Sequence, residues 1–357
     1  MIPTKYDIMF FEALGEEYAH LSEEIEKSKA GGQLPENLTY YIGTETLQEY
    51  LADHPGTQLP DILSTKTHSI LPESWLTCGK KKCVISRSAG YDHFEHLSAL
   101  ANVTSLREYC VNAVAETAVK LMFCVCGNLN QYTANTASFE RNNCISFKEL
   151  TGLKATVFGV GKIGKRIHDM LAGLGLDTYA LDIRSAELAK EYGGSVRFIS
   201  KEEATDSQII ICAMNYTKDP ASRFYNKNYF DEDYLSTFAD RLVFVNVTRG
   251  EIAPEAALLK QYQKGKLFGI GLDAFANEST VAKIMQGKQD ADSDDTRAAK
   301  VIIQSALQRT ENFYVQPHQA FNSDAAALSK AVETIRHLED YHRRGCKDFS
   351  SQLPYYL

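Results

Sequence analysis

Short apolar runs alternate with polar, helically periodic stretches along most of the chain. Residues 6–11, 38–42, 61–64, 83–86 and 103–106 read as strands, and the charged, periodic interval 12–30 reads as a helix. Strands alternating with helices predict a parallel sheet covered on both faces. Residues 112–126 then predict a long, mostly apolar helix, with Asn112 placed to cap it and Glu116 in its early turns. After a polar stretch at 131–143 a second alternating series begins. Its strand candidates are 155–158, 178–181, 196–199, 208–213, 242–247, 267–272 and 312–315, seven in all, enough for a larger doubly wound sheet. The stretch 277–309 interrupts this rhythm, acidic at 290–295 and helical by pattern at 296–308. A last helix, predicted over 324–344, needs a partner surface and is expected to return to the first domain. The fold class is therefore α/β, in two domains with a cleft between them. Residues 112–318 form the inserted domain, and 1–111 with 319–357 the smaller one.

Composition changes this picture little. The chain has 357 residues, 44% hydrophobic and 24% charged, which excludes a disordered chain, a collagen and a small disulfide scaffold. A net charge of −8 makes it a poor binder of phosphate backbones, and no nucleic-acid partner is expected. The most membrane-like run, 118–126, is short and contains Lys120, so no membrane span is expected. The first seven residues carry no apolar signal core. Eight cysteines occur, at 78, 83, 110, 124, 126, 144, 212 and 346, with no Cys-x-x-Cys pair. Cys124-Val-Cys126 lies in an apolar helical stretch and reads as buried free thiols rather than a metal or redox site. Unpaired thiols without an export signal point to the cytoplasm, and no metal is expected.

The sharpest local signal is Gly159-Val160-Gly161-Lys162-Ile163-Gly164, which follows a β-branched and aromatic strand and opens a helix. In that context Gly159 permits a tight turn, Gly161 lets backbone approach a pyrophosphate, and Gly164 lets helix and strand pack closely. The helix N-terminus offers N–H groups and partial positive charge to the phosphates. Asp182 ends the next strand, 18 residues after Gly164. A carboxylate there accepts from ribose hydroxyls and repels a 2′-phosphate, so the expected cofactor is NAD. The bland alternative is a glycine turn without a ligand.

Three later strands each end in a chemically useful residue: Arg249-Gly250, then Asp273 with Glu278, then Pro317-His318. Ligands of open parallel sheets sit outside the carboxyl ends of strands. Taken singly, Arg249 suits a pair with a surface acid, Glu278 a loop charge and His318 a turn cap after Pro317; together they outline a site. A cation beside a group that exchanges protons suits chemistry that builds negative charge on oxygen. A planar guanidinium suits a carboxylate, and imidazole exchanges protons near neutrality.

The order and spacing of Arg249-Gly250, Gly271-Leu-Asp273-Ala-Phe275, Glu278 and Pro317-His318-Gln-Ala-Phe321 resemble the D-isomer-specific 2-hydroxyacid dehydrogenase family. Ser86-Arg-Ser-Ala89-Gly90-Tyr91-Asp92 resembles the substrate loop of that family, and Asn112-Ala-Val-Ala-Glu116 its interdomain helix. The long interval from Asp273 to His318 resembles its D-lactate dehydrogenase branch. The resemblance implies a Rossmann NAD-binding domain and a smaller flavodoxin-like substrate domain. It assigns His318 as general acid/base, Glu278 as the partner of its far ring nitrogen, and Arg249 as the group that binds the carboxylate and polarises the ketone. Backbone amides near Ala89, Gly90 and Tyr91 would hold the substrate carboxylate, Asp273 would stand on the nicotinamide side, and Phe321 would wall a pocket for a small side chain. The implied reaction is reversible reduction of a 2-oxo acid by NADH to the (R)-2-hydroxy acid, in a homodimer joined through the nucleotide domains. Two other functions fit the same fold: an NAD-sensing regulatory protein, and a dehydrogenase for a phosphorylated hydroxy acid. The latter needs cations, of which Lys66 is the obvious first-domain candidate. The basic runs 80–82 and 342–344 read as solvated surface.

Overall fold

The computed structural model describes residues 5–142 and 146–355. Asn143 and Cys144, the end of the polar stretch and one of the thiols, lie outside the described residues, as does the N-terminal segment through Thr4. The chain divides into two units. One runs to Cys110 and resumes at Asn322, and the other spans Val111–Phe321.

In the first unit, β1 (Ile8–Phe10), β2 (Tyr40–Ile42), β3 (Ile62–Thr65), β4 (Lys82–Ser86) and β5 (Ala101–Ser105) pair in parallel in the order β2-β1-β3-β4-β5. That is the flavodoxin-like order. Side chains alternate across a strand, so each strand feeds two cores. Ile8, Phe10, Ile62, Cys83 and Ile85 pack under α1 (Glu17–Ala30) and the last helix of the chain. Met9, Phe11, Leu63 and Val84 pack on the other face, with Leu47 and Tyr50 of α2 (Leu47–Asp53) and with Trp75 and Leu76 of α3 (Glu73–Leu76). Strands buried on both faces read as continuous apolar runs, which is why they stand out in the sequence.

The second unit opens with α4 (Val111–Cys126) and α5 (Leu129–Asn135). Asn112 does not cap α4. It lies one residue inside the helix, and its Oδ1 accepts a hydrogen bond from Arg166 Nε at 3.0 Å. The sheet then forms from β6 (Lys154–Phe158), β7 (Asp177–Leu181), β8 (Ile209–Cys212), β9 (Leu242–Asn246), β10 (Leu267–Leu272) and β11 (Phe313–Val315), in the order β11-β10-β9-β8-β6-β7, all parallel. The seventh candidate, 196–199, is not a strand. It reduces to a single parallel bridge, Ala180↔Phe198, outside β7. Counting that bridge, the order is 3-2-1-4-5-6-7, the 3-2-1-4-5-6 of dinucleotide-binding sheets with β11 added at the far edge.

The connecting helices are α6 (Lys162–Gly173), α7 (Ser185–Glu191), α8 (Glu232–Thr237), α9 (Glu255–Gln263), α10 (Glu278–Met285) and α11 (Asp294–Gln308). The interval 277–309 thus holds two helices where the sequence pattern shows one. Phe158, Phe230, Phe244, Leu258, Ile270, Ile302 and Phe313 form the core on one face of the sheet, while α4 covers β9 and β10. The last helix, α12 (Ala326–Arg343), packs on α1 in the first unit.

Among the described residues no helix is long and apolar enough to cross a membrane. Cys126 is buried and Cys124 half-buried, both free, and burial pushes the Cys126 thiol up to about 12. Lys82, read as solvated, is instead buried on β4 and bonded to Asp61 at 2.7 Å.

Candidate active site

The chain turns sharply between β6 and α6. Gly159 sits at φ +82°, and a Cβ there would meet Met214 Cα at 2.6 Å. A Cβ on Gly164 would meet the Gly159 carbonyl oxygen at 1.8 Å, so helix and strand touch only because both positions lack side chains. Gly161 differs, since a Cβ there would meet nothing within 4 Å. No internal packing demands glycine at that position, so the open space is on the ligand side of the loop. The first helical bond runs from Lys165 N to the Gly161 carbonyl at 2.8 Å. Amides of residues 162–164 therefore have no carbonyl a turn earlier within the helix. Open space beside a helix N-terminus is what close approach of a pyrophosphate needs.

Asp182, one residue past β7, is tied into this turn. Its Oδ2 accepts from Val160 N at 2.9 Å and its Oδ1 from Arg184 N at 2.8 Å. Each carboxylate oxygen keeps acceptor capacity for a hydroxyl. Tyr192 OH donates to the Val160 carbonyl at 2.8 Å and pins the loop from the other side, a role no sequence pattern signals. These residues fit an adenine dinucleotide, with Gly161 and the first turn of α6 facing the phosphates and Asp182 the ribose.

The second cluster gathers at the carboxyl ends of β9, β10 and β11. Arg249 Nη1 lies 3.4 Å from His318 Nε2, and His318 Nδ1 lies 3.0 Å from both oxygens of Glu278. His318 is at φ +52°, a left-handed conformation uncommon outside glycine, and its N–H is held by the Asp273 carbonyl at 2.6 Å. Glu278 is the first residue of α10, and its Oε1 also accepts from Phe275 N at 3.3 Å. Burial alone would raise the Glu278 pKa. The hydrogen bond and charge of His318, the Phe275 N–H and the Arg249 charge together outweigh it and hold the carboxyl below its ordinary value. The side chains are 33% exposed at His318 and 44% at Glu278, so the pair is open to a solute from one side.

Further residues hold this cluster: Gly250 and Asp273, which the sequence singles out, and Asn246, which it does not. Asn246, fully buried at the end of β9, donates from Nδ2 to the Arg249 carbonyl at 2.9 Å and accepts from Thr248 N at 3.1 Å. A polar residue closing the run Leu-Val-Phe-Val-Asn was the one available hint of it. Gly250 is required by contact, since a Cβ there would sit 1.9 Å from Ala276 N. Asp273 is 1% exposed, and its Oδ1 accepts from Gln316 Nε2 at 2.7 Å, Gln319 N at 2.8 Å and Ala320 N at 3.0 Å. It acts first on the loop that carries His318. Phe321, at the end of this unit, is 36% exposed.

Ala89, Gly90 and Tyr91 belong to the other unit, in the loop after β4. Arg87, one of the largest fully buried side chains, anchors that loop by bonds to Glu17 at 2.8 Å, to Ser64 Oγ at 3.0 Å and to the Phe11 carbonyl. Tyr91 is buried edge-on against Tyr355. Lys66 is held in an ion pair with Glu17 at 2.5 Å, which engages its charge within the unit. Among the described residues no group of three or more His, Cys, Asp or Glu side chains is arranged to hold a metal ion.

Comparison with known proteins places this geometry. A family model described as the NAD binding domain of D-isomer specific 2-hydroxyacid dehydrogenases matches residues 119–320, more than half of the chain. An aromatic 2-oxoacid reductase of Clostridium sporogenes is 26% identical over 281 residues, 76% of this chain and 78% of that protein. A D-lactate dehydrogenase of Treponema pallidum is 25% identical over 269 residues, 72% of this chain and 74% of that protein. In fold, the chain is similar to the D-lactate dehydrogenase of Aquifex aeolicus solved with NAD and lactic acid. The TM-score is 0.74 at 22% identity, covering 95% of this chain and 96% of that one.

Proposed function

The chain belongs to the D-isomer specific 2-hydroxyacid dehydrogenase family and uses NAD to interconvert small 2-oxo and 2-hydroxy acids, and on that premise we propose a lactate-like substrate. The reaction is 2-oxo acid plus NADH plus a proton giving (R)-2-hydroxy acid plus NAD. The observation that carries the reading is the line Arg249–His318–Glu278, with one ring nitrogen on the carboxylate and the other beside the guanidinium.

Gly161, the first turn of α6 and Asp182 would hold the nicotinamide cofactor, which would supply or accept the hydride. His318 keeps Nδ1 on Glu278, which leaves Nε2 to give its proton to the ketone oxygen or take it from the hydroxyl. The Glu278 carboxylate is ionised at neutral pH and lies 3.0 Å from the ring that gives up the proton in reduction. Arg249 carries the positive charge that binds the substrate carboxylate and polarises its carbonyl. Backbone N–H groups of Ala89, Gly90 and Tyr91 are proposed as further carboxylate donors, and Phe321 as a wall of the side-chain pocket. D-lactate dehydrogenases among the relatives support a small substrate.

The active form is a homodimer through the nucleotide-binding unit. Phe123, Leu129, Phe139 and Phe147, on α4, α5 and the segment after them, are 45%, 51%, 76% and 52% exposed, an apolar surface suited to a second copy. Light scattering behind size exclusion reads this directly. Free thiols throughout the described residues suit a reducing compartment, the cytoplasm.

The functional test is a panel of 2-oxo acids with NADH followed by absorbance: pyruvate, branched, aromatic and phosphorylated. Pyruvate is expected to give the highest kcat/KM, and D-lactate rather than L-lactate to be oxidised. Turnover restricted to the phosphorylated acid, or none at all with NADH bound, would replace this reading.

A further inference from the structure

Glu255 opens α9 and is 1% exposed. Its Oε1 accepts from Ala276 N at 2.7 Å, while its Oε2 is buried with no hydrogen-bond partner. The charges that bear most on it are two carboxylates: Asp295, in the first turn of α11, and Glu251, in the turn before α9. Asp295 itself accepts from Ala256 N at 3.1 Å. On the elements packed against α9, Glu232 of α8 pairs with Lys260 and Lys264, and Arg297 of α11 pairs with Asp294. A lone carboxylate in such a place lacks a counter-charge and faces two like charges, so geometry alone favours its neutral form.

The Ala276 N–H belongs to the turn that delivers Glu278. Phe275 N, one residue earlier, donates to Glu278 Oε1, and Gly250, the neighbour of Arg249, presses on the 275–276 peptide. Two successive amides thus reach two acids, one beside the histidine and one beneath the turn. We infer that Glu255 is a positioning residue for the site: its buried carboxyl accepts from the Ala276 amide and so sets the turn from which Glu278 reaches His318. This rests on the Glu278–His318 reading of the preceding subsection. Sub-ångström placement matters, since a shift of ~1 Å in a supporting element can cost up to about 100-fold in rate.

A pH signature follows. Burial pushes the Glu255 carboxyl up to about 8, against the lowering effect of its bonds to Ala276 and its own amide. Above that pH the ionised carboxyl, still bonded to the Ala276 N–H, stands beside Asp295 and Glu251 without a counter-charge, and that repulsion displaces the turn it holds. Oxidation of the hydroxy acid, which needs neutral His318, should therefore rise with pH and then fall again on the alkaline side.

The experiment measures kcat/KM for hydroxy-acid oxidation from pH 6 to 10 in wild type, Glu255→Gln, Glu255→Ala and Glu278→Gln. In parallel, NMR follows the His318 ring, assigned through a His318→Ala control. Glutamine cannot ionise, so Glu255→Gln should abolish the alkaline fall and remove the second inflection, near pH 8, from the His318 ring titration. Glu255→Ala leaves the amide unpaired and should lose roughly 10- to 100-fold in kcat/KM, most of which Glu255→Gln restores. If Glu255→Ala does not fold, the Glu255→Gln profile decides alone. Normalised profiles and ring titrations of wild type and Glu255→Gln that superimpose would overturn the inference. A His318 ring left unmoved by Glu278→Gln would instead overturn the pairing beneath it, and the two failures are separate.

Discussion

The Nδ1 of His318 lies 3.0 Å from the Glu278 carboxylate across 40 residues of sequence. The contact is electrostatic. Burial would raise the Glu278 pKa, and the hydrogen bond and charge of His318 help to outweigh it and hold the carboxyl below its ordinary value.

Removing that charge while keeping the shape should slow ketone reduction. Reduction takes a proton from His318, and Glu278→Gln removes the negative charge beside that donor, so reduction should lose more than oxidation does. His318→Ala should cost about 10²–10⁴ in kcat, the usual share of general acid/base catalysis, with little loss of NADH binding. Profiles of kcat/KM in both directions, with an isotope effect showing that chemistry limits the rate, check both variants.

Arg249→Lys keeps the charge but loses the planar pair of donors. Activity should fall by at least about 10-fold, mostly through KM for the 2-oxo acid, because a monodentate ammonium binds the carboxylate less well. Full activity in this variant would remove Arg249 from the substrate.

Asp182 does two things at once. Its oxygens tether Val160 and Arg184, and its charge opposes a 2′-phosphate. Asp182→Ala should therefore raise KM for NADH and also narrow the preference over NADPH. Steady-state kinetics with both cofactors separate the effects: a loosened loop weakens both cofactors alike, and only the lost charge changes their ratio.

Glu255 ties stability to pH. In the folded chain it keeps its proton up to about 8, whereas an unfolded glutamate releases it near ~4.3. Between those values the folded state binds more protons, so the contribution is full below the lower value and is lost as pH rises through the upper one. Glu255→Gln should become more stable than wild type by on the order of 1 kcal/mol per pH unit across that window. Urea unfolding at pH 5 and pH 8 tests this, and a difference that does not grow with pH would refute it.

Much of the fold is legible because both sheets are buried on two faces. Ile8-Met9-Phe10 and Leu242-Val-Phe-Val-Asn246 must be apolar at every position, and such runs announce themselves. Residues 196–199 carry the same signal but sit beyond β7 with one neighbour, and exposed Arg197 interrupts them, so only Phe198 pairs. The helix at Glu278 escapes notice because Asn277, in a left-handed conformation, gives it no side-chain cap, and its first turn is Glu-Ser-Thr. Arg249, Glu278 and His318 are readable because chemistry at strand ends is a topological rule. Asn246, Tyr192 and Glu255 are not, because a buried polar side chain gains its meaning from partners distant in sequence.

The register of β11 on β10 settles how far the rest of the chain can disturb the site. Leu272 already lies against Val315, so the sheet itself joins the two ends of the excursion that contains α10 and α11. From those paired residues, a few positions of tether lead to Glu278 on one side and to His318 on the other. The entropy of closing the long loop is borne by the strand ladder rather than by the ion pair, and that entropy grows only slowly with loop length. The tip of the excursion, between Met285 and Ser293, can therefore lengthen, shorten or acquire a new surface while the acid and the imidazole stay where the sheet has put them.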